Sequence, residues 1–272
     1  MTGSLLLRGM LVGLLAGLLA FGFARLFGEP AVERAIAFES GSHAEAPAPV
    51  PHSHGGGPAH THEAAPAHSH GGGGEADPFS RATQAGFGLF TGLVVYGAAI
   101  GGLFALVFAF AQGRLGPMTP RATAAVLALA AFVALALVPW LKYPANPPSV
   151  GVAETIGPRT ALYFTFMALS LAALAVSAWL AQGWRARLGG WNAGLAGAAL
   201  FVAIVGVAGL VLPAIDEVPA GFSGSLLWQF RLASLGIQAV LWGALGLGFG
   251  ALVERSYDVR PASAPGLPHR AF

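Results

Sequence analysis

Six apolar stretches constrain this chain more than anything else in it. They lie near residues 5–27, 86–111, 122–141, 160–182, 191–213 and 229–252. Each is about 20 residues or longer, enough to cross a ~30 Å hydrocarbon core as a helix. None holds a run of charge. Inside lipid the backbone must satisfy its own hydrogen bonds, which leaves helices or closed barrels, and continuous apolar runs of this length select helices. The chain is 55% hydrophobic and 10% charged, with mean hydropathy +0.67, whereas soluble domains carry about 25% charge. The expected fold is therefore all-α: a polytopic membrane protein of about six transmembrane helices. Its expected divisions are a first helix over 1–27, an external loop over 28–85, a five-helix bundle over 86–254 and a cytoplasmic tail over 255–272.

Small residues mark how these helices pack. Gly9, Gly13 and Gly17 follow one another at i, i+4 and i+8, so they share one helix face, the pattern by which membrane helices approach closely. This favours a retained first helix over a cleaved signal peptide. Gly88 and Gly92, Gly97 and Gly101, and Gly246 and Gly250 have the same spacing. The even-numbered segments each follow an arginine (Arg81, Arg159, Arg231), and segments three and five end alike in Leu137-Val138-Pro139 and Val211-Leu212-Pro213. Two readings stay open: a helical hairpin repeated three times, or coincidence among Ala/Leu/Gly-rich helices.

Of the 14 basic residues, Arg8, Arg114, Arg121, Arg185, Arg187, Arg255, Arg260 and Arg270 fall on one side of the membrane, while Arg25, Arg34, Arg81, Lys142, Arg159 and Arg231 fall on the other. The positive-inside bias places both termini in the cytoplasm and the 28–85 loop outside, in the periplasm or external medium. The pI near 9.4 does not signal nucleic acid, because these residues are spread over helix ends and form no patch.

The external loop holds seven of the eight histidines. Three His-x-His pairs recur every eight residues: His52 with His54, His60 with His62, and His68 with His70. In an extended chain, i and i+2 point to the same side, so each pair offers two nitrogens to one ion. Glycine runs and Pro51, Pro58 and Pro66 disfavour helix there, and the segment is expected to be disordered without metal. Imidazole suits cobalt, nickel, copper and zinc. The ligands must be neutral, so loading should fail below about pH 6.5. The segment reads as a labile collector of metal, and the bland alternative is a solubilising spacer. With no cysteine in the chain, there is no thiolate site and no disulfide.

Two short external loops are rich in proline, which lowers the entropy cost of a fixed shape. One runs from Lys142 through Tyr143-Pro-Ala-Asn146-Pro-Pro148 to Glu154 and Arg159. The other runs from Pro213 through Asp216-Glu217-Val218-Pro219 to Arg231. Asp216, Glu217 and Glu154, with Asn146 and Tyr143, are candidates for an oxygen-rich entrance that concentrates cations. Alternatively they pair with Arg159, Arg231 and Lys142 and staple the loops. No acid, lysine or histidine lies mid-segment, so a path would have to use carbonyls, Thr91, Thr165, Ser170, Ser177, Gln238 or Met167.

These loops carry a resemblance. Tyr143-Pro-Ala-Asn-Pro-Pro148 with Glu154-Thr-Ile-Gly157 and Arg159-Thr160, and Asp216-Glu-Val-Pro219 with Phe230-Arg-Leu-Ala-Ser-Leu235, resemble the CbtA family of predicted cobalt transporter subunits. The resemblance implies cobalt uptake for cobalamin synthesis and a small single-helix, His-rich partner of the CbtB type. The loop itself does not select cobalt over nickel or zinc, so a transporter for either remains an alternative, as does a membrane metal buffer or sensor. No cofactor is called for beyond the transported ion. No nucleotide-binding loop, H-E-x-x-H helix or catalytic constellation is present, so the chain does not read as an enzyme.

Overall fold

The computed structural model describes residues 2–44 and 80–258. Among these the regular structure is helical, with no strand. Five helical elements are long and apolar enough to cross a membrane. Helix α1 runs over Thr2–Phe23, passes a wide turn at Ala24–Gly28 and continues over Glu29–Ala44. Helix α2 runs over Arg81–Thr83, Gln84–Gly88 and Leu89–Ala111. Helix α3 covers Pro120–Phe132, Val133–Leu137 and Val138–Lys142. Helix α4 spans Ile156–Val211, and α5 spans Gly224–Asp258.

The first segment was expected to end at residue 27, yet its helix runs on through Pro30 to Ala44; the third, expected over 122–141, is helical to Lys142 and passes through Pro139. A helical proline lacks an N–H and clashes with the carbonyl four residues back. Here a π-turn ends two residues before each proline: Ala24–Gly28 before Pro30, and Val133–Leu137 before Pro139. The wider i→i+5 turn absorbs the mismatch, and the chain stays helical. The helix beyond Pro30 is held by Ala31 and Ala35, buried against Val150, Phe222, Leu226 and Leu227. The loop expected over 28–85 is thus helical as far as Ala44 and again from Arg81. The histidines expected to collect metal, His52, His54, His60, His62, His68 and His70, all lie between these points, outside the described residues. So do the side chain of His43 and all of His269.

The fourth and fifth apolar segments form one helical element, bent at Gly189, where φ is +74° and ψ is 165°. That backbone conformation favours glycine. The two arms, α4a before Gly189 and α4b after it, lie against each other. A Cβ at Gly197 would come within 2.8 Å of Ala181 Cβ, and one at Gly209 within 3.7 Å of the Phe166 ring.

Helix α1 packs against α2 and α5, α5 against α3, and the end of α3 against α4. The α1–α2 contact is backbone to backbone. A Cβ on Gly9 or Gly13 would overlap the carbonyl oxygens of Gly101 and Gly97, and one on Gly17 would overlap that of Leu93. Gly246 and Gly250 seat α5 on Ala128 and Ala124 in the same way. Around these contacts Phe104, Phe108 and Phe249 pack edge to face with Leu241, Leu245 and Val253. The pairing is nested: α1 with α2, α3 with α5, α4a with α4b. A sequence of three hairpins, each paired within itself, is not the arrangement found.

Candidate ion-entrance cavity

The two proline-rich loops meet at one end of the bundle, above a cavity of about 850 Å³. Its walls come from the end of α3 (Ala136, Trp140, Leu141), the start of α4a (Arg159, Thr160, Tyr163, Phe164), α5 (Arg231, Ser234, Gln238) and the loops (Asn146, Ile215, Asp216).

The loops are ordered by hydrogen bonds to the helices. Tyr143 is buried, packs edge to face on Phe166 and donates its hydroxyl to Pro213 O at 2.8 Å. Burial raises its pKa, so it remains a donor. Arg231 donates to Asn146 Oδ1 at 2.9 Å, and its carbonyl accepts from Trp140 Nε1 at 3.0 Å. Glu217 Oε2 accepts from Val152 N at 3.1 Å and lies 3.4 Å from Arg159 Nε. A hydrogen bond from the Thr155 side chain lowers the Glu217 pKa most; desolvation opposes it, and the Val152 amide and the Arg159 charge add to the lowering.

The four loop residues expected at a metal entrance therefore separate. Glu217 is engaged in tying the 213–223 loop to the 149–159 loop. Asn146 lines the cavity, with its oxygen on Arg231. Asp216 lines it and is exposed. Glu154 is exposed and stands outside the lining. The other six expected ligands, His52 and His54, His60 and His62, His68 and His70, fall outside the described residues, so none of them is placed at this mouth. Among the described residues no three His, Asp or Glu side chains gather closely enough to hold a metal. The lining is basic, with Lys142, Arg159 and Arg231 against Asp216.

The continuation of α1 reaches the same end. Ser149, at φ +70°, places its hydroxyl 3.1 Å from both Ala35 O and Glu39 Oε2. Phe38 meets Phe222 edge to face. Glu29, 7% exposed, is ion-paired with Arg81, so the chain is clamped where it leaves and where it rejoins the bundle. Nothing in the sequence pairs Glu29 with Arg81, 52 residues on; their contact needs the fold.

A second cavity of about 370 Å³ lies farther along α3 and α4a, between them and α4b, with Met118, Val133, Ser177, Gln182, Arg185 and Phe201 in its walls. Phe166, Ala173, Phe201 and Ala134 belong to one buried apolar cluster, with Ala134 on α3 and Phe166 and Ala173 on α4a falling between the residues that line the two cavities. Ser170 (0% exposed) and Ser177 (2%) are buried on α4a, and neither hydroxyl has a hydrogen-bond partner. With Tyr163 in the wall of the larger cavity they fall at i, i+7 and i+14, on one helix face. Ser170 and Ser177 were among the polar residues expected on a path. Lys142, Arg231 and Trp140 as cavity walls were not, because each reads locally as a helix-edge anchor.

Residues 2–254 match the family described as "Probable cobalt transporter subunit (CbtA)". The chain belongs to the CbtA family. No curated protein and no solved structure matches it. With five long apolar helical elements, this CbtA chain is a membrane protein, and as a transporter subunit it implies a partner. A transporter subunit is consistent with the absence of a catalytic constellation from the sequence.

Proposed function

We propose that this CbtA chain takes cobalt into the cell across the bacterial inner membrane and so supplies cobalamin synthesis. In this reading the chain crosses six times, with α4a and α4b as separate crossings joined at Gly189. Both termini face the cytoplasm, and the proline-loop end faces out. The packing of Gly9, Gly13 and Gly17 on α2 favours a retained first helix. The three histidine pairs collect metal on the outer side. Asp216 and Asn146 are the loop groups left to meet cargo at the cavity wall. Glu217 and Glu154 hold and flank the mouth. The partner is a small His-rich single-helix subunit of the CbtB type.

The observation that carries the reading is the pair of cavities spaced along α3 and α4a, with a buried apolar cluster between their linings that serves as a plug, in a chain of a cobalt transporter family. A plug with a cavity on each side is what alternating access requires. Ser170 and Ser177 are its polar steps. Nickel or zinc carried by the same layout is the runner-up, since imidazole alone does not select cobalt.

The test is cobalt accumulation in cells lacking other cobalt and nickel uptake, with the partner subunit co-expressed. Intact protein should raise cell cobalt. Deletion of residues 43–70 should lower accumulation at scarce metal and spare it at high metal. Accumulation of nickel or zinc but not cobalt would select the runner-up. No accumulation of any divalent metal would leave a buffer or sensor.

A further inference from the structure

A mouth that attracts a bare divalent cation should be acidic, and this cavity is not. Lys142, Arg159 and Arg231 line it against one carboxylate, Asp216. Glu217, outside the lining, offsets Arg159, and Asp216, within it, acts electrostatically on Arg231. Lys142 has no described carboxylate within ion-pair distance; its ammonium lies 5.8 Å from the centre of the Tyr143 ring. Even with both acids counted, the site keeps a net positive charge. Arg231 donates one bond to Asn146, and its Nε has no partner. Guanidinium and ammonium groups are the usual partners of carboxylates. Size agrees, since about 850 Å³ suits a small organic molecule of the usual ligand range and far exceeds one ion.

We infer that this cavity binds a carboxylate anion, and that cobalt enters it as an anionic polycarboxylate chelate. The chelate explains how metal passes a basic mouth: its net charge is reversed by its ligands, and Lys142 and Arg231 hold carboxylate oxygens. Asp216 then tunes the site by opposing the anion and limiting how tightly it is held. The metal part of the inference rests on the cobalt reading above; the anion site does not.

The test uses the purified full-length protein in lipid nanodiscs, with citrate as the probe. Titration at about pH 8 keeps the histidines neutral, so they do not attract the anion. Metal-free citrate should bind, and more weakly as salt rises. Lys142→Gln should weaken it roughly fivefold or more, and Asp216→Asn should strengthen it about twofold or more. Melting temperatures near that of the intact protein establish that both variants are folded. The sign at Asp216 decides the matter, because a cation site predicts the reverse. If citrate does not bind in the millimolar range, or if Asp216→Asn weakens it, the inference fails and the cobalt reading stands untouched. If citrate binds as expected but cobalt–citrate is not carried into vesicles, the anion site stands and cobalt as its cargo falls.

Discussion

Glu217 accepts from the Val152 amide and faces Arg159 across 3.4 Å. These contacts need its ionised form, so its pKa is lowered in the folded chain, chiefly by the Thr155 side chain. A carboxyl whose folded pKa lies below its unfolded value stabilises fully above the unfolded value. The contribution is lost as pH falls through the folded value. The melting temperature of the intact protein should therefore decline on acidification below the ordinary carboxylate range. Glu217→Gln should lack that component and start lower at neutral pH. A pH profile of the variant that parallels the intact protein would show that the loops are held by other contacts. The proline loops and their acids were legible in the sequence, as was the choice between entrance and staple. The partner of Glu217 was not: Arg159 reaches it only because α4a begins beside the 213–223 loop, a contact between segments far apart in the chain. The three histidine pairs, from His52 and His54 to His68 and His70, are the plainest motif in the sequence and lie outside the described residues.

At the scale of the helix, glycine spacing was the most informative signal. Gly9, Gly13 and Gly17 meet α2 so closely, the first two against Gly101 and Gly97, that no side chain fits between. Gly13→Val should cost about 3 kcal/mol or more, at the upper end of overpacking, because the obstacle is backbone and not a movable side chain. Gly92→Ala, where nothing lies within 4 Å, should be near neutral, or slightly stabilising through helix propensity. Thermal unfolding of the two variants in one detergent checks both. Equal loss in each would mean that the α1–α2 contact is not backbone to backbone. The same spacing at Gly88 and Gly92 carries no packing between helices, so the motif alone does not say which copies are used. Helix ends were less legible. The first segment was expected to stop at residue 27, but the π-turns before Pro30 and Pro139 carry both helices through their prolines. A π-turn depends on what packs around the bend, which local sequence does not encode.

Across the whole molecule, the apolar pattern located the spans but not their partners. Helices α3 and α4a wall both cavities, α5 completes the larger and α4b the smaller, and α1, α2 and the rest of α5 form a close-packed support. The path therefore belongs to the α3–α4 side. Because the chain has no cysteine, single substitutions report access without background. Tyr163→Cys should react with a membrane-impermeant thiol reagent from the outside, and Gln182→Cys, exposed in the wall of the smaller cavity, from the cytoplasmic side. Leu245→Cys, buried at 1% exposure in the support, should react from neither. Labelling of Leu245→Cys as fast as Gln182→Cys would move the path into the support. The most direct measurement is cobalt flux into vesicles holding the protein with its partner subunit, comparing the intact chain with Ser170→Leu, which fills the plug at its buried hydroxyl. The account predicts flux for the intact chain and a loss of about tenfold or more for the variant at equal, folded incorporation. Undiminished flux through Ser170→Leu, or none through the intact chain, would contradict it.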